Sequence, residues 1–488
     1  MRPLGAARRT LGPMSGAAWA ALALAGVAAI GDVRTASAGE DPGKAAAPRM
    51  EFIPPPPGSY KLQRIQRVSD AALLDSAGRT VRLAALTQDK ITLLTFFYTY
   101  CVDPLGCPFA HVTLADLRDR LVRTRFPDSV PGEALSDPWA YGTDVAYLRS
   151  LVDYWREGFD WRAEEAALNA FPQFRVPLDG IDLHYLHVPG VGENPMPLLL
   201  LHGWPGSVFE FLDIIPRLSD PARFGGDASD AFTVIAPSLP GYGLSFKPGQ
   251  KRYGVPEMAD CVAALMHDVL GFSRFAAQGG DWGAAVTSRL GYAHAEKMIG
   301  IHLNLWAAAG REASAFENPT EEEKRYLGEL AHWNREETGY QWIQGTRPQT
   351  LAFALTDSPA GLAAWIVEKF RAWSDCGGDV ESAISRDRML ADISLYWFTG
   401  AIGSSFWPYY ARLHGAAILP RGATISVPTG YAQFPREILK PPRSAIERVH
   451  TNIRRWSVME KGGHFAALEQ PEALAHEVRA FFRELRDP

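Results

Sequence analysis

The stretch Gln278-Gly-Gly-Asp-Trp-Gly283 decides the fold of this 488-residue chain. A short apolar run at residues 275–278 leads into it, and a helix-like segment at residues 284–292 follows it. Glycines on either side of a central residue permit the tight strand-to-helix turn that exposes one side chain at the tip of a sheet, which here is Asp281. The same pattern also fits an Asp that caps the N-terminus of a helix. Both interpretations stay open on this motif alone.

Outward from this motif, short apolar runs alternate with amphipathic stretches. Seven runs predict strands: residues 183–188, 198–201, 232–236, 275–278, 299–303, 424–427 and 453–459. Residues 255–270 and 471–485 have helical spacing. This alternation predicts an α/β fold whose mostly parallel sheet is covered by helices on both faces. Residues 306–412 interrupt the pattern with a helical segment rich in Trp and Tyr, which we interpret as a lid.

A second glycine-containing motif, His202-Gly-Trp-Pro-Gly-Ser207, directly follows the predicted strand at residues 198–201. Gly203 lets the backbone turn so that the N–H of Trp204 can face a negative charge developing on an oxygen. The N–H of Trp282 would be the second donor. The two motifs therefore predict an oxyanion hole beside Asp281.

Two further polar residues come after predicted strands. Glu437 follows the run at residues 424–427, and His464 lies in the glycine-flanked loop Lys461-Gly-Gly-His464 before the last helix. Taken singly, they fit a helix N-terminal acid and an ordinary loop histidine. Because the motifs fall at strand ends in the order nucleophile, acid, histidine, we expect Asp281, Glu437 and His464 to act together.

The motifs together resemble the α/β-hydrolase fold, and more narrowly the epoxide hydrolases of the microsomal and juvenile-hormone type. The resemblance extends from about residue 114 to the C-terminal end. Four stretches look like that family's wrapping N-terminal domain: Arg125-Phe-Pro-Asp128, Tyr154-Trp-Arg156, Phe159-Asp-Trp-Arg162 and Phe171-Pro-Gln-Phe174. The lid is similar at Glu337-Thr-Gly-Tyr340 and at residues 356–365 and 396–409.

The resemblance implies that Asp281 attacks an epoxide carbon and forms an ester. A carboxylate suits this chemistry because its ester can be hydrolysed, whereas a serine would form a stable ether. Water activated by His464, with Glu437 orienting the imidazole, then yields a vicinal diol. The implied partners are a small hydrophobic epoxide and water, and no metal or organic cofactor is implied.

Two lid phenols complete the implied site. The resemblance carries over Tyr340 and Tyr409 as the groups that hold the epoxide oxygen, since a phenol can donate a hydrogen bond or a proton to it. The stretch Phe406-Trp-Pro-Tyr-Tyr410 departs from the Arg-containing stretch usual in the family. The second phenol is therefore Tyr409 or Tyr410, with Tyr409 as the prediction.

Three alternative functions stay open. A haloalkane dehalogenase also uses an Asp nucleophile, and Trp282 fits its halide ligand, but it does not need lid tyrosines. A copper or thiol-redox carrier would act through Cys101 and Cys107. A catalytically inactive hydrolase fold used for binding is the third, and the complete set of nucleophile, base and acid disfavours it.

The N-terminal residues are predicted to form a targeting signal rather than part of the fold. Arginines at the start, an apolar run at residues 17–30 and the Ala36-Ser-Ala38 site are typical of a secretory signal peptide. An uncleaved membrane anchor is the alternative, although the run is short for a span. We therefore expect an exported protein, with a cytoplasmic or a membrane-anchored protein as the alternatives. Membrane association through this segment stays open, and so does a homodimer.

Residues 57–108 resemble the start of a Sco/SenC copper-delivery protein. Cys101-Val-Asp-Pro-Leu-Gly-Cys107 follows the buried-strand pattern of residues 91–98, where thioredoxin-like proteins place their cysteines. The resemblance stops near Pro108, without the distal His that a two-sulfur copper site requires. We therefore interpret residues 39–108 as a truncated leader, with Cys101 and Cys107 as weak metal-ligand candidates.

The amino-acid composition narrows the classes of binding partner. With 49 Lys and Arg against 55 Asp and Glu, the net charge of −6 disfavours nucleic-acid binding. The predicted organisation is a signal or anchor (1–38), the leader (39–108), a wrapping domain (109–185), the first part of the hydrolase core (186–305), the lid (306–412) and the second part of the core (413–488).

Overall fold

The computed structural model describes residues 72–74, 80–82, 108–129, 137–306, 316 and 318–486. The chain divides into two units, residues 1–96 and 97–488. In the first unit, strands β1 (Ala72–Leu74) and β2 (Thr80–Arg82) pair antiparallel. The predicted signal segment and the cysteines Cys101 and Cys107 lie outside the described residues.

The second unit is built on an eight-stranded sheet with the order β10-β9-β8-β7-β5-β6-β4-β3. Strands β5 to β10 pair with one another in parallel, whereas β4 runs antiparallel to both β3 and β6. The strands are β3 (Gln173–Leu178), β4 (Ile181–Val188), β5 (Met196–Leu201), β6 (Phe232–Pro237), β7 (Phe275–Gly279), β8 (Met298–Leu303), β9 (Thr429–Gln433) and β10 (Ile453–Val458). The mostly parallel sheet confirms the predicted fold class.

The run of four leucines in β5 shows why this strand lies in the centre of the sheet. All four side chains are completely buried. Because successive side chains of a strand point to opposite faces, Leu199 and Leu201 join the apolar cluster on one face, while Leu198 and Leu200 join the cluster on the other. A strand that is apolar on both faces requires helices on both sides, as parallel sheets do.

Helices supply those two layers and the lid. Before and within the core lie α1 (Pro108–Val122), α2 (Val145–Glu157), α3 (Trp161–Asn169), α4 (Ile214–Ser219), α5 (Val255–Ala264) and α6 (Asp281–Ala293). The lid between β8 and β9 contains α7 (Glu321–Glu336), α8 (Gly339–Thr346), α9 (Pro348–Asp357), α10 (Pro359–Trp373), α11 (Arg386–Thr399) and α12 (Trp407–His414). The chain ends with α13 (Arg443–Glu447), α14 (Ala466–Glu469) and α15 (Pro471–Arg483).

The length and composition of the described helices bear on a possible membrane span. Within that part of the chain no single helix is both long and apolar enough to cross a membrane. The pair α9 and α10 meets the same criteria of length and composition when taken together, with a bend of 116° between them. Most of the apolar side chains of α10 are buried against the rest of the second unit.

The strands differ from the sequence analysis in one wrong prediction and one additional strand. Residues 424–427 were expected to form a strand, but only Ile425 makes an isolated bridge, to His450, and the strand is β9, after Pro428. Its Gly430 lies so close to Phe481 that a Cβ there would come within 2.7 Å of the ring, so packing rather than β-propensity selects this segment. The edge strand β3 forms within the segment expected only to wrap around the core.

The ion pair between Arg455 on β10 and Glu477 on α15 generates a stability prediction. The guanidinium donates two hydrogen bonds of 2.8 Å to the buried carboxylate. Burial by itself raises the pKa of Glu477, but the hydrogen bonds and charge of Arg455, helped by Ser457 and His302, outweigh it and lower the pKa to about 2. The pair therefore stabilises the fold above the unfolded pKa of about 4.3, and this contribution disappears as the pH falls towards 2.

We expect Arg455→Met to lower the free energy of unfolding by about 2 kcal/mol at pH 7, because it leaves a buried carboxylate without its partner. The difference from the parent protein should shrink as the pH falls from 4 to 2. Denaturant unfolding across this pH range measures both effects. Arg454→Met is the matched control, since this neighbouring arginine is exposed. Equal destabilisation by the two variants would contradict the prediction.

Candidate active site

The turn between β7 and α6 holds Asp281 in the left-handed region of backbone conformation, with a φ of 43°. Two glycines allow this turn to lie against the neighbouring strand. A Cβ at Gly283 would lie 1.9 Å from the carbonyl oxygen of Leu201, and one at Gly203 would lie 2.3 Å from the Asp281 side chain. Between the two interpretations of the sequence motif, this geometry is that of a nucleophile elbow rather than an ordinary cap.

The loop after β5 brings a backbone donor to this carboxylate. The N–H of Trp204 donates a hydrogen bond of 2.8 Å to Oδ1 of Asp281. His202 fixes the loop: its Nδ1 is 3.1 Å from the carbonyl oxygen of Gly203, and its Nε2 accepts from the N–H of Leu239 at 3.0 Å. Burial lowers the pKa of His202 to about 4, so the ring is neutral and holds this arrangement.

The second predicted oxyanion donor belongs to Trp282. This residue is in the first turn of α6, where backbone N–H groups have no acceptor within the helix. Its indole ring is buried and packs edge-on against Tyr409, with ring centres 4.8 Å apart. The structure therefore places both predicted amides beside Asp281 and shows one of them, that of Trp204, bound to it.

His464 lies between two carboxylates. Its Nε2 is 3.5 Å from Oδ2 of Asp281, and its Nδ1 is 2.6 Å from Oε1 of Glu437. Burial lowers the pKa of His464, but the charges and hydrogen bonds of Glu437 and Asp281 outweigh it, and the pKa is raised well above its usual value. A parallel bridge between Arg436 and Gly463, each one residue before the pair, holds the acid and the histidine side by side.

The histidine loop is itself tied down by Glu469. One carboxylate oxygen accepts from the N–H of Gly463 and the other from the N–H of Phe465, both at 2.9 Å, so the bonds lie on either side of His464. The N–H of Asp375, just after α10, also donates to this carboxylate at 2.7 Å. Glu469 therefore joins the histidine loop to the lid, a role that the sequence motif did not reveal.

The lid places the two predicted phenols opposite the nucleophile. Tyr340 lies on α8 and Tyr409 on α12, with ring centres 5.8 Å apart. The Trp204 ring stacks on that of Tyr340 at 5.3 Å, and the amide of Gln341 donates to the Tyr340 hydroxyl at 2.8 Å. The Lys369 ammonium lies 4.8 Å from the centre of the Tyr340 ring, a contact that no sequence motif indicated.

Burial distinguishes the two adjacent tyrosines, Tyr409 and Tyr410. Tyr409 is 2% exposed and faces Trp282, whereas Tyr410 is 40% exposed and stacks on His414. Within the described residues, the hydroxyl of Tyr409 makes no hydrogen bond of normal geometry. Burial raises its pKa well above the usual value, so the phenol keeps its proton and can donate it in a hydrogen bond.

Two small cavities lie against Asp281, which is the only residue in the described part of the chain that lines both. A cavity of about 40 Å³, which we call the lid cavity, is lined by Tyr340 and Tyr409, by the polar side chains Gln341 and Arg412 and by apolar side chains. A cavity of about 20 Å³, which we call the inner cavity, is lined by His464 and by Glu210. The phenols and the histidine therefore line different cavities that meet at Asp281. Among the described residues, no three His, Cys, Asp or Glu side chains cluster as metal ligands would.

Comparison with known proteins identifies the family. The model of the epoxide hydrolase N terminus matches residues 102–211, and that of the alpha/beta hydrolase fold matches residues 196–306. A Stigmatella aurantiaca protein provisionally named an epoxide hydrolase is 45% identical over 79% of this chain and 86% of that protein. Epoxide hydrolase 1 of Oryctolagus cuniculus is 36% identical over 75% and 85% of the two chains.

Solved structures agree with these sequence matches. The juvenile hormone epoxide hydrolase of Bombyx mori superposes with a TM-score of 0.68 and 31% identity, over 78% of this chain and 93% of that chain. The epoxide hydrolase of Aspergillus niger superposes with a TM-score of 0.66 and 30% identity, over 78% and 95%. The chain therefore belongs to the epoxide hydrolases of the microsomal and juvenile-hormone type, and its activity is the hydrolysis of an epoxide.

Proposed function

We propose that the chain hydrolyses its epoxide in two steps, through an ester on Asp281. The observation that carries this proposal is the line of contacts from Asp281 through His464 to Glu437, with two lid phenols on the opposite side of the nucleophile. An alternative in which His464 activates water to attack the epoxide directly gains no support, because His464 lines the inner cavity and not the lid cavity that the phenols line.

In the first step, Oδ2 or Oδ1 of Asp281 attacks one carbon of the epoxide, and the bond from that carbon to the ring oxygen breaks. The oxygen gains negative charge as the bond breaks. Hydrogen bonds from Tyr340 and Tyr409 then stabilise this charge, and a phenol proton neutralises it. These donors act in a buried site, where they are stronger than in water.

In the second step, water attacks the carboxyl carbon of the ester and passes a proton to Nε2 of His464. The amides of Trp204 and Trp282 stabilise the tetrahedral oxyanion, which then releases the diol. Formation of the ester removes the negative charge of Asp281, one of the causes that keep the pKa of His464 high. The imidazolium can therefore lose its proton more readily in the ester than in the free enzyme, and this proton replaces the one that the phenol gave to the substrate oxygen. The neutral imidazole can then act as a base.

The lining of the lid cavity indicates the class of substrate. Besides the two phenols and the nucleophile, it includes the apolar side chains Trp282, Leu305, Trp333, Ile418 and Ile438. An uncharged epoxide would place its apolar surface against these side chains, because burial of apolar area drives such binding. Epoxides of aromatic hydrocarbons fit this description, which would assign the enzyme to detoxification or to aromatic catabolism.

The ester mechanism predicts where the oxygen of the diol comes from. In a single turnover in H₂¹⁸O with enzyme in excess, we expect the first diol to carry an unlabelled oxygen from Asp281, and the carboxyl group to become labelled. Mass spectrometry of the diol and of the peptide containing residue 281 measures both. Label in the diol of the first turnover would rule out the ester, as would full activity of Asp281→Ala.

Loss of the histidine should separate the two steps. In His464→Gln we expect the ester to form but to be hydrolysed at least about 10³-fold more slowly, because the water loses its general base. Intact-protein mass spectrometry after mixing with an epoxide should then show the adduct. His450→Gln is the control, since this buried histidine lies outside the active site. Adduct accumulation in that control, or its absence in His464→Gln, would contradict the assignment.

The lid phenols should act mainly in the first step. We expect Tyr340→Phe and Tyr409→Phe each to slow ester formation about 10-fold or more, and the double variant about 10³-fold, because the leaving oxygen loses its donors. Rapid-quench measurement of the adduct gives this rate. Tyr410→Phe is the matched control at the adjacent, exposed tyrosine. If Tyr410→Phe proves as damaging as Tyr409→Phe, the assignment of the second phenol is wrong.

A further inference from the structure

The inner cavity is lined by Asp281 but not by the two phenols, and neither of the two steps above uses it. Its volume of about 20 Å³ is large enough for one water molecule. The polar side chains that line it include the two reacting groups, Asp281 and His464, and also Glu210, Gln278 and Asn304. A cavity of this size with several polar partners is where proteins bind ordered water.

Glu210 is brought to this cavity by the same loop that forms the oxyanion hole. It lies in the 3₁₀ helix Val208–Phe211, directly after the His202–Ser207 motif. Its carboxyl group packs onto the backbone of Gly206: a Cβ at that glycine would lie only 1.4 Å from Oε1. Gly206 therefore leaves room for the Glu210 carboxyl, and the close packing restricts the positions that this group can take.

The surroundings of Glu210 favour its neutral form. Burial raises the pKa of this carboxyl well above its usual value, and the charges of Asp392 and Asp281 act in the same direction, against the lowering effect of His464. Burial likewise raises the pKa of Asp392 to about 8. A protonated carboxyl group has one O–H donor, which an ionised one lacks.

We propose that the inner cavity is the binding site of the water that hydrolyses the ester, and that Glu210 is a positioning residue which holds this water between His464 and the carboxyl carbon of Asp281. The inference rests on the ester mechanism proposed above and adds the source and direction of the water. The epoxide and the water then reach the same carboxyl group from opposite sides, and neither has to leave before the other can bind.

During hydrolysis of the ester, Glu210 donates a hydrogen bond but does not transfer its proton. The water oxygen forms a bond to Cγ of the Asp281 ester, and its proton moves to Nε2 of His464. When the tetrahedral intermediate collapses, the bond from Cγ to the diol oxygen breaks and the imidazolium returns a proton to that oxygen. The O–H of Glu210 donates a hydrogen bond to the water throughout and keeps its own proton.

The test measures the two steps separately in the full chain, by rapid quench and intact-protein mass spectrometry with a hydrophobic epoxide. In Glu210→Leu we expect ester formation within about threefold of the parent rate and ester hydrolysis slowed about 100-fold, because the water loses its donor. Glu210→Gln should restore hydrolysis to within about 10-fold, since a neutral amide also donates. If Glu210→Leu does not fold, Glu210→Ala replaces it in the same comparison.

Three results would overturn the proposal: equal slowing of both steps in Glu210→Leu, no slowing of ester hydrolysis, or no rescue by glutamine. Asp213→Asn is the control, because it changes an exposed acid near Glu210 in the chain that does not line the inner cavity. We expect both steps in this variant to stay within about threefold of the parent. A failure of the ester mechanism would be recognised independently, since the parent enzyme would then form no adduct.

Discussion

The backbone of Asp281 is held at a φ of 43°, a conformation that a residue with a side chain adopts only when its surroundings require it. The requirement comes from packing: the turn presses against β5 so closely that Gly203 and Gly283 have no space for a Cβ. This contact fixes the nucleophile, directs the Trp204 N–H towards it and sets the distance to His464. The buried leucines of β5 keep that strand in the position on which the contact depends.

The electrostatics of the site depend on the protonation states of several acids held close together. Asp281 and Glu437 flank one imidazole, and their two negative charges keep it protonated in the free enzyme. Glu210 lines the inner cavity, and burial raises its pKa, which favours the neutral form. A site with every carboxyl ionised would carry too much uncompensated charge for a buried location. Because some of these acids are ionised and others are neutral, a nucleophile and a hydrogen-bond donor can occupy the same small volume.

The sequence predicted most of this arrangement because its signals are local. The elbow motif, the chain order of Asp281, Glu437 and His464, and the leucine run of β5 each have a pattern readable within a few residues. The strand β9 was misplaced because its pairing is selected by contact with Phe481 rather than by local propensity. The roles of Glu210 and Glu469 were missed because they exist only where distant segments meet, and a lone glutamate in a sequence indicates neither.

The two cavities on either side of Asp281 have an evolutionary consequence. Among the described residues they share only Asp281, so the walls around the phenols and the walls around His464 are built from different parts of the chain. Mutations in α8 and α12 can therefore change the walls around the phenols while the residues around His464 stay intact. A family built in this way can diversify its substrates, or be redirected by directed evolution, without having to rebuild its chemistry each time.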